Sequence, residues 1–156
     1  MLIEATSSDF ESLLRGVGPR GLALVSDSLL APPEVLRMLS NLADEIRPTF
    51  APAAWMIVEH DEIVGLCSLV RKPEGSEICI GYGIAPSREG KGITSRAVEE
   101  LVIWAKGDGR VSVVIAETSV NNVPSQRVLE RNGFVRTGER TTEEDGDVII
   151  WRRPVA

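Results

Sequence analysis

From Ile84 to Thr94 the chain reads I-A-P-S-R-E-G-K-G-I-T: the end of a strand, a glycine turn and the first turn of a helix. Gly90 and Gly92 leave the backbone bare where that helix begins, so amide N–H groups can point outward with no Cβ in the way. Such unpaired donors, with the positive end of the helix dipole, favour a phosphate or pyrophosphate. Arg88, Lys91 and Arg96 add positive charge there, in a chain that is otherwise acidic. The bland alternative is an ordinary strand-to-helix turn. A Walker loop does not fit, because Ala85 stands where its first glycine belongs and Gly92 follows the lysine. A dinucleotide fingerprint fails as well: counted from Gly81 its third glycine is Pro86, and counted from Gly90 it is Ser95.

A second segment, N-N-V-P-S-Q-R-V-L-E-R-N-G-F from Asn121 to Phe134, describes a capped helix. Asn122 suits the N-cap, Pro124 the first turn, Gly133 a left-handed C-terminal position and Phe134 the core. In this order the two segments resemble motifs A and B of the GNAT superfamily of acyl-CoA-dependent N-acetyltransferases. Motif A has the form Arg/Gln-x-x-Gly-x-Gly/Ala; Gly92 matches it, while Glu89 and Thr94 depart from it. Asn122, Ser125, Leu129, Glu130, Gly133 and Phe134 match motif B in its N-x-x-S-x-x-x-L-E-x-x-G-F form. The likeness is closest to the branch of the ribosomal-protein alanine acetyltransferases, and it spans roughly Glu77 to Gly138.

The resemblance implies acetyl-CoA as co-substrate and an amine acceptor, either a small molecule or a protein N-terminus. It implies a binding site made of Ile84, Ala85, Arg88, Glu89, Gly90, Lys91, Gly92, Ile93, Thr94, Asn122 and Ser125. A carboxylate at Glu89 would repel a pyrophosphate. Arg88 is therefore expected to make the phosphate contact, with Glu89 turned to solvent or paired with Arg88 or Lys91.

N-acetylation requires a cationic amine to lose a proton and a departing thiolate to gain a donor. The superfamily usually transfers directly, without an acyl-enzyme, so Cys67 and Cys79 need no covalent role. Many members place an acidic tyrosine in motif B; here that position is Leu129, and the only tyrosine, Tyr82, precedes motif A. In the alanine-acetyltransferase branch the motif B serine takes the part, and Ser125 matches it. Its hydroxyl would hydrogen-bond the developing thiolate; the alternative is a first-turn hydroxyl bonded to backbone. The base of such members lies two residues before a G-Y pair, which here is Cys79. Glu77, on the same face of the strand and about 6–7 Å away, is the expected base through water, with Glu117 on the next strand as alternative. The class alternative is a non-catalytic acyl-CoA sensor or interaction module.

Composition sets the frame. The chain has 156 residues, 43% hydrophobic and 26% charged, as expected of one soluble domain over residues 1–156. No apolar run is long enough for a membrane span, and the N-terminus lacks signal-peptide features. With one histidine and two cysteines no metal site is expected, and reduced thiols suit a cytoplasmic location. A net charge of −6 argues against nucleic acid. The oligomeric state stays open, a homodimer being one alternative.

Periodicity predicts a strand at Leu2–Ala5, a short helix to Arg15, and a helix opened by Pro32 and Pro33 with Val35, Leu39, Leu42 and Ile46 inward. Trp55–Glu59 and Ile63–Val70 are predicted as a hairpin turning at His60–Asp61. The next strand, Glu77–Ala85, places Ile78, Ile80, Tyr82 and Ile84 on one face. A helix to about Lys106, a strand at Val111–Thr118, the Asn122–Asn132 helix and a final hairpin at Asp145–Gly146 follow. The fold class is α/β, with a mixed, largely antiparallel sheet and helices on both faces. The resemblance adds that the fourth and fifth strands splay to admit the pantetheine arm.

Overall fold

The computed structural model describes residues 1–156. Its first strand, β1 (Leu2–Glu4), pairs antiparallel with a strand begun at Ala54, setting Leu2 opposite Ile57. Thr6 and Asp9 form a reciprocal capping box that opens α1 (Ser7–Leu14). Sequence reading assigned no element to Gly16–Ser28, yet Pro19–Gly21 makes a 3₁₀ turn and β2 (Ala23–Leu24) follows. This two-residue strand pairs in parallel with Glu62 and Ile63, far too short a segment for a periodic signal to be visible. Helix α2 (Pro33–Ile46) opens on its proline, whose missing N–H costs nothing in a first turn. Its face is turned slightly from the expected one: Leu36, Ala43 and Ile46 are buried, with Leu39 and Leu42 at the margin.

Strands β3 (Ala54–Glu59) and β4 (Glu62–Leu69) form the predicted hairpin, buried along most of its length. His60 and Asp61 at its tip have φ of 51° and 61°, the left-handed pair that a tight two-residue turn requires. Then come β5 (Glu77–Ile84), α3 (Ile93–Gly107), β6 (Val113–Ser119), α4 (Val123–Arg131), β7 (Val135–Thr142) and β8 (Gly146–Pro154). The eight-stranded sheet has the order β1-β3-β4-β5-β6-β8-β7, with β2 attached to β4. All its pairs are antiparallel except β2–β4 and β5–β6.

Helices cover both faces. Trp55 of β3 packs edge-on against Trp104 of α3 at 5.1 Å, and Glu59 pairs with Arg96, so alternate residues of β3 face α3. By register, Cys67 and Tyr82 share that face, and α4 packs beside α3 there. The opposite face, carrying Met56, Ser68, Cys79 and Glu117, is the one on which α1 and α2 lie together.

One local failure of pairing organises everything that follows. The β5–β6 ladder ends at Ile80 opposite Ala116. Beyond it β5 stays paired with β4 as far as Ile84, and β6 with β8 as far as Ser119. The two strands therefore splay, as expected of the fourth and fifth full-length strands. Val70 N donates to Cys79 O and Ala85 N to Val64 O, so the odd-numbered residues of β5 turn their main-chain groups to β4. Antiparallel alternation then directs the N–H and C=O of Tyr82 and Ile84 into the gap.

Candidate active site

At the mouth of the gap the chain turns from β5 into α3. Ala85 and Ile93 are buried with Ile57, Val64 and Ala97, and this small apolar cluster anchors both ends of the turn. Between them Gly90 and Gly92 have φ of 77° and 74°, a region that favours glycine. Gly92 caps α3 without any side-chain bond. The amides from Gly90 to Ser95 find no acceptor in the protein, and the first helical bond runs from Arg96 N to Gly92 O. A run of bare donors at a helix N-terminus is a site for an anion. Lys91 is exposed and without a carboxylate partner, whereas Arg96 is held by Glu59 and donates to Lys91 O.

Arg88, expected at the phosphate, is paired with carboxylates in this structure. Its guanidinium is taken by Glu62 at 2.8 Å and Asp27 at 3.2 Å, which turns it away from the amides. Ser87 bonds Asp27 and Ser28 alongside. Arg88 thus fastens the cradle to the β2–α2 loop. Its partners lie far away in sequence, so no local pattern announced them. Glu89 is exposed and pairs with neither Arg88 nor Lys91, in keeping with a carboxylate turned to solvent.

On the α3–α4 side of the gap, Asn122 caps α4 by accepting from Ser125 N at 3.2 Å. Ser125 Oγ lies 2.9 Å from the Tyr82 hydroxyl, which also reaches the Ser125 carbonyl at 3.3 Å. Burial, its largest influence, pushes the Tyr82 hydroxyl up to about 12 despite the Ser125 bond. Sequence reading missed Tyr82 as a site residue, although its alternation had placed it on the correct face. Leu129, where many relatives have tyrosine, is fully buried.

On the α1–α2 side, Cys79, Glu117, Arg71 and Arg140 line a pocket of about 440 Å³ beside the gap. Glu117 sits on β6 beyond the last β5–β6 pair and is gripped through both oxygens by Arg140. That hydrogen bonding, chiefly, holds its carboxyl below the usual range, against the effect of burial. Glu77 stands at the other end of β5, opposite Val113 where the ladder is closed, with Arg152 at 2.8 Å. Both share one face, but only Glu117 is beside the opening. Cys79 is pushed up to about 11 and Cys67 up to about 12, both by burial, so neither is a thiolate near neutrality. No group of three or more His, Cys, Asp or Glu is placed to hold a metal ion.

The chain is similar in sequence and in fold to known proteins. A ribosomal-protein-serine acetyltransferase of Escherichia coli (strain K12) is 33% identical over 85 residues, 54% of this chain and 48% of its own length. An uncharacterised N-acetyltransferase of Bacillus subtilis (strain 168) is 35% identical over 85 residues, 53% of this chain and 51% of its own. The chain thus spans about half the length of the curated relatives it matches. Among solved structures, a ribosomal L7/L12 alpha-N-protein acetyltransferase in complex with coenzyme A superposes with a TM-score of 0.74 at 21% identity, covering 99% of this chain and 93% of that one. A ribosomal-protein-S5-alanine acetyltransferase from Vibrio fischeri gives 0.71 at 20% identity, covering 98% and 91%. At such identities the superpositions speak for the fold. The profile of the acetyltransferase (GNAT) domain matches residues 2–135, nearly the whole length, and the chain belongs to that family.

Proposed function

We propose that this protein transfers the acetyl group of acetyl-CoA to an amine by direct attack. The observation that carries this reading is the β5–β6 gap, with free amides at its mouth, two hydroxyls on one side and a carboxylate on the other. Gly90 to Ser95 and Lys91 suit the pyrophosphate of CoA, and the main-chain groups of Tyr82 and Ile84 suit its pantetheine amides. Acetyl-CoA supplies the thioester. Glu117 is assigned as the base in place of Glu77, because it lies beside the opening and Glu77 does not. Ser125, backed by Tyr82, is assigned as the donor to the departing sulfur.

The test is thiol release from acetyl-CoA with a panel of amines. Release should depend on the amine. Glu117→Gln should lower kcat by about 10²–10⁴-fold with acetyl-CoA affinity kept, while Glu77→Gln should change it less than about threefold. CoA binding without thiol release for any amine would favour a sensor over an enzyme.

A further inference from the structure

The pocket on the α1–α2 side carries charges of both signs, two cations and two carboxylates, and not all of them are paired. Arg140 is engaged by Glu117. Arg71, two residues past the end of β4, is exposed and has no hydrogen-bond or ion-pair partner in the protein. It nevertheless lines the same pocket, and its charge acts on both Cys79 and Glu117. Asp145 closes the rim without a cation of its own within bridging distance. An amine bearing only positive charge would suit Glu117 and Asp145 but leave Arg71 unanswered. A ligand with a carboxylate beside its amine would satisfy both signs. Guanidinium takes a carboxylate through two parallel bonds, which also fixes its orientation.

Resting on the transferase reading above, we infer that the acceptor is a free α-amino acid, its carboxylate taken by Arg71 and its amine presented to Glu117. A protein N-terminus has that carboxyl locked in a peptide bond and brings Arg71 no charge. The volume of about 440 Å³ lies toward the small end of ligand pockets, in keeping with a compact acceptor.

The same pairing removes an obstacle to catalysis. While Arg140 holds both oxygens of Glu117, that carboxylate is a poor base. An incoming carboxylate gives Arg140 and Arg71 a second anion to serve, which loosens the grip on Glu117. Glu117 then takes one proton from the substrate ammonium. The nitrogen lone pair forms the bond to the acetyl carbon, the carbon–sulfur bond breaks, and its electron pair leaves on sulfur. The second nitrogen proton is lost as the amide forms, and the sulfur is protonated to the free thiol. The products are an N-acetylamino acid and CoA.

The experiment compares free L-amino acids with their α-carboxamides, and with a short peptide of the same N-terminal residue, in thiol release from acetyl-CoA. The free acid of the preferred residue should exceed its carboxamide by about tenfold or more in kcat/KM. Arg71→Ala should erase that ratio by slowing the acid far more than the carboxamide, and Arg71→Lys should restore part of it. Acetyl-CoA affinity should not move in either variant, which excludes misfolding as the cause. Equal or better use of the carboxamide or the peptide, or an unaltered ratio in Arg71→Ala, would overturn the assignment while transfer itself stood. Should no acceptor release thiol although CoA binds, the transferase reading fails separately. Calorimetric titration of the same amino acids and carboxamides into the CoA-loaded protein then decides the pocket: binding that depends on the carboxylate and on Arg71 upholds it, and its absence overturns it.

Discussion

The Ser125 hydroxyl has one proton, and where that proton points is set by Tyr82. If Tyr82 donates to Ser125 Oγ across their 2.9 Å contact, the serine proton is free to point at a third atom. If Tyr82 instead donates to the Ser125 carbonyl, at the longer 3.3 Å, the serine proton is spent on the phenol. A negative sulfur in the gap would favour the first arrangement. With its hydroxyl at about 12, Tyr82 stays protonated near neutrality and serves as a fixed donor, not as a proton source. Tyr82→Phe and Ser125→Ala should each lower kcat by about 10–100-fold with acetyl-CoA affinity nearly kept, as for loss of a donor to developing charge. The double variant should be little worse than either single one, since the two act as a unit. Additive losses would show that Tyr82 only packs. A carboxyl held low by Arg140 also means that no neutral-range limb of the pH–rate profile belongs to Glu117 in the free protein. With Glu117 taking the ammonium proton, the wild-type rate should stay flat above pH 7, whereas in Glu117→Gln it should rise with the fraction of free acceptor amine.

The β5–α3 turn depends on backbone conformation more than on side chains. At Gly92 a Cβ would be strained by the φ of 74° and would meet Arg96 Nη1 at 3.1 Å. Gly92→Val should abolish CoA binding, while the Trp55–Trp104 contact keeps its native fluorescence because that pair lies in the main core. Arg88→Ala should behave in the opposite way. It should lower Tm by about 2–5 °C through loss of the Glu62 and Asp27 contacts, yet leave CoA affinity within about threefold. Calorimetric titration of CoA into both variants, with melting curves alongside, separates the two. The contrast also shows what the sequence could reveal. Glycine spacing, the Asn122 cap and the alternation of β5 are local, so the cradle, α4 and the face of Tyr82 were legible. The partners of Arg88, Tyr82 and Glu117 lie 26, 43 and 23 residues away, and no periodicity encodes which strand end meets which loop. Even the splay of β5 from β6 was legible only by resemblance, since the pattern along one strand does not record where its pairing with a neighbour ends.

Across the molecule, the sheet separates the α3–α4 layer from the α1–α2 layer, and the N-terminal segments must stay seated on one another and on the sheet for that second layer to hold. Much of that seating runs through Asp9. Its side chain is 5% exposed, completes the α1 capping box with Thr6, and receives Arg20 through both oxygens. Arg20 also donates to Glu4 O, so a single carboxylate joins β1, α1 and the turn before β2. Burial alone would raise the Asp9 carboxyl, but the Arg20 and Thr6 bonds outweigh it, leaving it below the ordinary 3.8. A carboxyl depressed by folding adds stability that is complete above its unfolded value and lost as pH falls through the folded one. Asp9→Asn should therefore cost about 1–2 kcal/mol at neutral pH, the range of a lost charged cap. The gap in Tm between the two proteins should stay constant from pH 8 to pH 5 and close below about pH 4. Thermal melts across that range measure it directly. A gap undiminished at pH 3 would mean that Asp9 stabilises by shape and not by charge, and the N-terminal layer would then be held by packing alone.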